Sequence, residues 1–374
     1  MNSNSWKVKK WGDLVELKYG KSLKNYKEKT IGYRVFGTNG PIGYNEEALC
    51  EQETVIVGRK GAYRGVHYSD KPCYVIDTAF YTVPIEEINM KWAFYELLTK
   101  NINNLDSGSA IPSTSREDFY SLKSKVPPIG VQNKIVNILS IFEEKIELNS
   151  KMISNLEQLS QTLFKHWFID FEFPNEQGQP YKSSGGEMVE IELGEIPSIF
   201  KCGTIKDFCD LKYGKALTKK NRIPGAYPVY GSGGLTGTHK EYLIEGPGVI
   251  IGRKGSIGTL YLEFNNFYPI DTVFYTESKD YTPMFLYLLF KQYDFTKANN
   301  DSAVPGLNRD FVYNTKAVVP DLKIVNKFKE IITPIYETIR NLSEENSILE
   351  ELRDTLLPKL LSGEIKIPDE VVVD

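Results

Sequence analysis

The chain contains two copies of one pattern, and this internal repeat constrains its fold more than any other feature. Residues 13–21 read DLVELKYGK, and 194 residues later residues 207–215 read DFCDLKYGK. The same offset relates VIVGRKG (55–61) to VIIGRKG (249–255), and IDTAFYT (76–82) to IDTVFYT (270–276). The loops SAIP (109–112) and SAVP (302–305) follow at an offset of 193. Because only one residue is gained or lost across the whole half, the sequence predicts a duplicated domain.

Each copy has the composition of a mixed α+β domain. Short β-branched and aromatic runs are separated by glycine and proline, for example at 37–43 and 231–237. Such punctuation is typical of an irregular, strand-rich fold with long loops. Helical patterns lie near 90–100 and 284–291. The fold class expected for each copy is therefore α+β.

Two long segments outside the copies repeat apolar residues at alternating steps of four and three, which is the spacing of a heptad. Such helices can bury their seams against each other as rods on the order of 50 Å long. Ordinary amphipathic helices on a domain core are the competing interpretation; length and recurrence favour a coiled coil. The seam positions are Ile135, Leu139, Phe142, Ile146, Asn149, Ile153, Leu156, Ser160, Leu163 and Trp167, then Phe328, Ile332, Ile335, Ile339, Leu342, Asn346, Leu349, Arg353, Leu356 and Leu360.

Both predicted helices contain residues that are unusual in a coiled coil, because they are polar or break helices. Asn149 and Asn346 lie on the seams, where a polar residue can fix register at a cost in stability. Pro334 and Pro358 fall inside the second segment and predict a kink, or a late start and an early stop. Gly363 is a candidate C-cap. Residues 171–190, rich in proline, glycine and serine, have the composition of a linker.

Length, cysteine usage and hydropathy bound the remaining possibilities. A chain of 374 residues suits two to four domains. No stretch approaches about 20 unbroken apolar residues and no signal peptide is recognisable, so a cytoplasmic protein is expected, with no membrane association. Cys50, Cys73, Cys202 and Cys209 lack metal-site spacing and are interpreted as reduced structural thiols.

The chain has a net charge of -4, but segments with net positive and net negative charge alternate along it. Residues 1–128 contain 18 basic and 15 acidic side chains, and residues 191–318 contain 15 and 13, giving +3 and +2. Residues 129–190 contain 5 and 9, and residues 319–374 contain 7 and 12, giving -4 and -5. Basic domains thus alternate with acidic helices, which are either simply solvated or kept available for protein partners.

The candidate binding residues are cations at equivalent places in the two copies. The Gly-Arg-Lys-Gly turns end apolar runs and are expected to present their cations to solvent, where glycines permit close approach to a phosphate. Solvated hairpin turns and solvated charged faces are the competing interpretations. The candidates for DNA contact are Lys21, Arg59, Lys60 and Arg116 in the first copy, and Lys215, Arg253, Lys254 and Arg309 in the second.

Signals of catalysis are poor. Asp77-Thr78 and Asp271-Thr272 lie in strand-like runs, which favours structural hydrogen bonding over chemistry. Gly20-Lys21-Ser22 resembles the end of a phosphate-binding loop, but Val15 stands where the first glycine belongs. No histidine recurs between the copies. We therefore predict no catalytic, cofactor-binding or metal-binding residues.

Over almost its whole length the chain resembles the specificity subunit of type I restriction-modification enzymes. Four segments carry the resemblance: VPPI (126–129) with the following QNKI (132–135), FKHWFIDF (164–171), YKSSGGEM (181–188) leading to LGEIP (193–197), and LRDTLLPKLLSG (352–363). Two features depart from the family pattern: Pro334 interrupts the second helix, and its opening Val325-Asn-Lys-Phe is less typical.

The resemblance implies two similar target-recognition domains separated by two long antiparallel coiled-coil helices, a pseudo-twofold internal repeat. The domains would be residues 1–128 and 191–318, the central helix 129–170, the linker 171–190, and the C-terminal helix and tail 319–374. It also implies partners: double-stranded DNA, two modification subunits that bind S-adenosylmethionine and methylate adenine, and ATP-driven restriction subunits.

Two other classes remain as alternatives. A self-sufficient methyltransferase or nuclease is disfavoured by the missing cofactor motifs. A coiled-coil adaptor with protein- or carbohydrate-binding lobes would show no salt-dependent DNA affinity, which the alternating charge argues against.

Overall fold

The computed structural model describes residues 6–105, 112–297 and 306–367. They form two compact units. The first unit contains the chain up to Leu148 together with the segment from Asn346, and the second is Asn149–Glu345. Apart from Pro112, both Ser-Ala-x-Pro loops lie outside the described residues.

The first unit consists of nine described strands and part of two long helices. The strands are β1 (Lys7–Lys10), β2 (Val15–Tyr19), β3 (Tyr33–Gly37), β4 (Gly40–Asn45), β5 (Thr54–Gly58), β6 (Val66–Ser69), β7 (Cys73–Val75), β8 (Ala79–Pro84) and β9 (Lys123–Val126). The helices are α1 (Trp11–Leu14), α2 (Met90–Leu98), α3 (Arg116–Ser121) and the long α4 (Ile129–Phe168), with a 3₁₀ turn at Ile102–Asn104.

The second unit contains the remaining described elements. Its strands are β10 (Met188–Ile191), β11 (Gly194–Pro197), β12 (Lys201–Thr204), β13 (Asp210–Tyr213), β14 (Tyr227–Gly231), β15 (Gly234–His239), β16 (Gly248–Gly252), β17 (Leu260–Glu263), β18 (Tyr268–Pro269), β19 (Val273–Glu277) and β20 (Lys316–Val319). Its helices are α5 (Pro283–Phe290), α6 (Arg309–Asn314) and the long α7 (Leu322–Ser362), with 3₁₀ turns at Ile205–Asp207, Lys219–Asn221 and Phe295–Lys297.

The two units share one topology, which confirms the predicted duplication and the α+β class. A four-stranded antiparallel sheet has the order β2-β8-β5-β6 in the first unit and β13-β19-β16-β17 in the second. A three-stranded mixed sheet has the order β4-β3-β7 in the first and β15-β14-β18 in the second. Even the register agrees, since Leu17 faces Thr82 and, 194 residues on, Leu211 faces Thr276.

The sheets follow from the apolar pattern of their strands. Strand β5 is buried along its whole length and lies between two neighbours, whereas β2 alternates buried and partly exposed residues as an edge strand. Helix α2 packs on β5 and β6 and contributes the fully buried Trp92 to the core. The helices predicted near 90–100 and 284–291 are therefore confirmed as α2 and α5.

The long helices bury the predicted seams. Every seam position in α4 and α7 is buried or partly buried. In the first unit, Ile135 near the start of α4 shares a core with Leu360 near the end of α7. In the second, the ring centroid of Phe164 near the end of α4 lies 5.9 Å from that of Phe328 near the start of α7. Within each unit the helices therefore pair antiparallel, as the family resemblance implies.

Asn149 has the buried seam position that the heptad predicts. Its side chain is fully buried, and its Nδ2 donates to Glu345 Oε2 at 2.8 Å. The position accepts a polar group because the paired helix supplies a charged acceptor.

The prediction of a late start and an early stop for the second helix is wrong. Helix α7 is continuous through Pro334 and Pro358. Each proline removes one backbone hydrogen bond, but core residues before and after it, such as Phe328 and Ile339, remain packed. The C-cap prediction is confirmed, because Gly363 follows the helix with φ +75° and donates to the Leu360 carbonyl at 3.2 Å.

The segment with linker composition is anchored in the second unit by buried aromatic side chains, although most of its residues are exposed. The ring of Phe173 is almost fully buried and stacks on Tyr181 and Phe200 at centroid distances of 4.7 and 5.1 Å. Strand β10, which ends this segment, pairs with β11. The segment is therefore part of the folded second unit and is not a flexible linker along its whole length.

The cysteines are free thiols, as predicted. Cys50, Cys73 and Cys209 are buried, which fits a structural role. Cys202 differs because it is exposed, with its thiol 3.5 Å from Glu192 Oε1.

Candidate nucleic-acid interface

In the first unit, the loop that joins β5 to β6 is anchored on the Asp77-Thr78 turn. The backbone N–H groups of Arg59 and Lys60 both donate to the Thr78 carbonyl, at 2.9 and 3.1 Å. Arg59 Nη1 donates to the Asp77 carbonyl at 2.9 Å, and Lys60 Nζ lies 3.5 Å from Asp77 Oδ2. Asp77-Thr78 therefore has the structural hydrogen-bonding role that the sequence indicates, and it places the two cations side by side.

Two arginines converge on one tyrosine in this unit. The guanidinium carbons of Arg59 and Arg116 lie 4.9 and 5.0 Å from the ring centroid of Tyr19. Arg116 begins α3, and its Nη2 donates to the Leu17 carbonyl at 2.7 Å and to the Tyr120 hydroxyl at 3.2 Å. The contact with Tyr120 raises the pKa of Arg116 above its ordinary value. Tyr19 remains 48% exposed, so this doubly charged group lies at the surface.

The second unit repeats the arrangement. The guanidinium carbons of Arg253 and Arg309 lie 4.8 and 5.2 Å from the ring centroid of Tyr213, which is 47% exposed. Arg253 Nη1 donates to the Asp271 carbonyl at 3.0 Å, and Lys254 Nζ lies 3.8 Å from Asp271 Oδ2. We call these groups the arginine clusters. They comprise Tyr19, Arg59, Lys60 and Arg116 in the first unit and Tyr213, Arg253, Lys254 and Arg309 in the second.

Lys21 and Lys215 extend from the same strands as the two tyrosines. Each follows a glycine that cannot be replaced: a Cβ on Gly20 would lie 2.1 Å from the Ile76 carbonyl oxygen, and one on Gly214 would lie 2.1 Å from that of Ile270. Both lysine side chains are exposed. Within the part of the chain that the structure describes, neither forms an ion pair, so both are available to a ligand.

The structure corrects one expectation about these residues. Lys60 and Lys254 are exposed, as predicted for the Gly-Arg-Lys-Gly turns, but Arg59 and Arg253 are half-buried against tyrosine. A planar guanidinium stacks on an aromatic face, whereas an ammonium is more strongly hydrated. Tyr19 and Tyr213 were not among the candidate residues predicted from the sequence. Their recurrence in both Lys-Tyr-Gly-Lys segments was the signal that could have identified them.

The residues beside the two clusters differ between the units. The β3–β4 hairpin tip packs on the first cluster, because Thr38 Oγ1 donates to the Lys60 carbonyl at 2.9 Å. The exposed Asn39 follows, and its side-chain amide lies 2.9 Å from the backbone carbonyl oxygen of Tyr63. The Tyr63 side chain is 68% exposed. The equivalent positions in the second unit are Gly233 and Ile257. A duplicated cationic group is thus bordered by different side chains in each unit.

Two wider searches of the structure bear on function. Across residues 6–105, 112–297 and 306–367, no group of three or more His, Cys, Asp or Glu side chains is arranged to hold a metal ion. None of the helices in these ranges is both long and apolar enough to span a membrane.

Comparison with known proteins identifies the family. The sequence matches the family described as "Type I restriction modification DNA specificity domain" twice, over residues 3–158 and 197–351. The chain belongs to this family. Its two matches fall on the two duplicated domains, so the predicted resemblance is confirmed. The function of the family is DNA sequence specificity in a type I restriction-modification system.

Individual members of the specificity family align over most of their length. The MjaIX specificity subunit of Methanocaldococcus jannaschii is 22% identical over 98% of this chain and 90% of its own length. The HindI specificity subunit of Haemophilus influenzae is 24% identical over 79% of this chain and 82% of its own length. The crystal structure of a type I restriction-modification S subunit from M. genitalium superposes with a TM-score of 0.64 at 22% identity, covering 98% of both chains, and therefore shares the fold.

Proposed function

We propose that this chain recognises a two-part, asymmetric DNA site, with one part contacted by each unit. The observation that carries the proposal is the arginine cluster, in which two arginines contact one tyrosine ring in both units. Cations in a duplicated, sequence-independent arrangement suit phosphates, which are the same at every base pair. Side chains that differ between the units, such as Asn39 and Gly233, suit base edges, which differ along the DNA.

The chain's own part in the reaction is proposed to be binding alone. The expected catalytic partners are two modification subunits, which bind S-adenosylmethionine and methylate adenine, and ATP-driven restriction subunits. The basic domains and acidic helices support this division, because negative helices repel the DNA backbone and remain open to proteins.

Exposed apolar side chains on the long helices support docking of the modification subunits there. Each of these side chains stands one position before a seam residue, so together they flank the buried seam. In an antiparallel pair these positions of both helices face the same side. The residues are Ile141, Leu148, Ile348 and Leu352 in the first unit and Met152, Leu159 and Ile331 in the second, all at least 41% exposed. We call them the flanking stripe.

The proposal is tested by expressing the chain with its modification subunits and mapping methylated adenines across a genome. Wild type is expected to give one two-part motif with an unspecified spacer. The double variant Asn39→Gly, Tyr63→Ile carries the second unit's residues and leaves the arginine cluster intact. We expect it to relax or change bases in one half of the motif, with roughly 10-fold or greater loss at those positions.

The reciprocal variant Gly233→Asn is the matched control. A Cβ at Gly233 would meet no atom within 4 Å, so the substitution is sterically tolerated. It should affect only the other half of the motif. A change in the same half for both variants, or a wild-type complex without any motif, would contradict the proposal.

A further inference from the structure

Each arginine cluster places two positive charges against one tyrosine ring. In each unit two guanidinium groups contact a single half-exposed tyrosine ring. Two like charges held at the same ring are unfavourable on electrostatic grounds alone. The aromatic ring offsets this cost, because its negative faces attract both cations. Its recurrence in both units argues against a packing accident.

Part of each guanidinium remains available in the first unit. Arg59 uses Nη1 for the Asp77 carbonyl, and Arg116 uses Nη2 for the Leu17 carbonyl and the Tyr120 hydroxyl. Within the described residues, Arg59 Nη2 and Arg116 Nη1 are not buried, and the Tyr19 hydroxyl also interacts with Arg116. Two ordered guanidinium groups with exposed donors beside the same ring suit the acceptor oxygens of one phosphate.

We infer that Tyr19 and Tyr213 are positioning residues, each of which orients two arginines toward one phosphate of the DNA backbone. The inference rests on the proposed function and adds the residues that organise its phosphate contacts. Free arginine side chains lose rotamer freedom on binding, whereas stacked ones are ordered beforehand. The tyrosines should therefore set affinity for any DNA sequence, and leave the recognised sequence unchanged.

The test uses the full chain in complex with its modification subunits. Binding is measured by fluorescence anisotropy over a series of salt concentrations, with two duplexes: one carrying the motif methylated by wild type, and one with that motif scrambled. Tyr19→Leu and Tyr213→Leu remove the ring, whereas Tyr19→Phe and Tyr213→Phe keep it and remove only the hydroxyl. Tyr19→Met replaces Tyr19→Leu if the leucine variant does not fold.

Each leucine variant is expected to bind both duplexes roughly 5- to 30-fold more weakly. The slope of log affinity against log salt should fall in magnitude by about one, because one phosphate contact is lost. The phenylalanine variants should lie within about twofold of wild type. The methylated motif should be the same in all variants.

The outcomes separate this inference from the proposed function. If Arg59→Gln weakens binding but Tyr19→Leu leaves affinity and salt slope unchanged, the positioning role is overturned. It is overturned equally if the phenylalanine variants are as weak as the leucine variants. If wild type itself shows no salt-dependent binding to either duplex, the proposed function fails first.

Discussion

The first unit has a histidine, His67, at a position where the second unit has a tyrosine. The imidazole lies beneath the loop glycines, since a Cβ on Gly65 would lie 2.6 Å from His67 Nε2. Burial lowers the pKa of His67 from its ordinary value of 6.5. The equivalent residue, Tyr261, instead directs its hydroxyl to the Ser232 carbonyl at 3.3 Å.

We predict that His67 makes the first unit sensitive to acid. The folded state keeps the imidazole neutral, whereas the unfolded chain takes up a proton near pH 6.5. The stabilising contribution is therefore complete above pH 6.5 and is lost as the pH falls below that value. Denaturant midpoints of the first unit's transition at pH 7.5 and 5.5 measure the effect.

The control for this prediction is His67→Tyr, which introduces the second unit's residue. This variant should lose less stability than wild type between the two pH values. Equal losses for both proteins would show that His67 is not the responsible group.

The candidate residues show what sequence can and cannot predict at this scale. The repeated lysines and arginines were predictable, because their register in the two copies is identical. The stacking of Arg59 and Arg116 on Tyr19 was not, because these residues come from three elements that only the folded sheet and α3 bring together. A repeated aromatic residue next to repeated cations is the pattern to look for.

Among the elements, α7 shows how packing overrides a local helix-breaking signal. A proline in a helix interior costs about 3 kcal/mol. Helix α7 nevertheless passes through Pro334, an exposed position, while Ile332 and Tyr336 beside it are buried. Sequence propensity predicts a local cost, but the apolar contacts along the seam decide the outcome.

The flanking stripe leads to a prediction about partner binding. Met152 and Leu159 of α4 are 42% and 45% exposed and are not needed for the seam. The double variant Met152→Glu, Leu159→Glu places two carboxylates in the proposed interface, where burial of unpaired charge is unfavourable. We expect its affinity for the modification subunit to fall by roughly tenfold or more, measured by titration of the purified proteins.

Gln158→Glu is the control for this interface, since Gln158 is exposed on the outer face of the same helix. It adds charge without touching the stripe and should bind the modification subunit like wild type. If the double variant binds equally well, the modification subunits dock elsewhere.

For the whole molecule, the internal repeat predicts more of the structure than amino-acid composition does. The offset of 194 residues predicted a duplicated domain, and the two units are in fact alike in strand order and even in register. The packing of residues 171–190 could not be predicted, because their proline, glycine and serine content is typical of a linker. The aromatic partners that order this segment, Phe173 and Phe200, lie 27 residues apart and meet only in the folded unit.

The length of the helices should determine the spacing of the two half-sites. Seven residues inserted into α4 after Leu148, and seven into α7 after Glu345, preserve the heptad phase of both seams. Seven residues add about 10 Å of helix, which corresponds to about 3 base pairs of DNA. Mapping of methylated adenines should therefore show both half-sites unchanged and a spacer longer by about this amount.

The matched control inserts four residues at each position. Four residues shift the phase, so apolar seam positions on one side of the insertion rotate away from those on the other. This variant should therefore fold poorly or assemble no active complex, although it is shorter than the heptad variant. If the heptad variant methylates its sites with the original spacing, the helices do not set the distance, and the two units must be positioned on DNA by their partners.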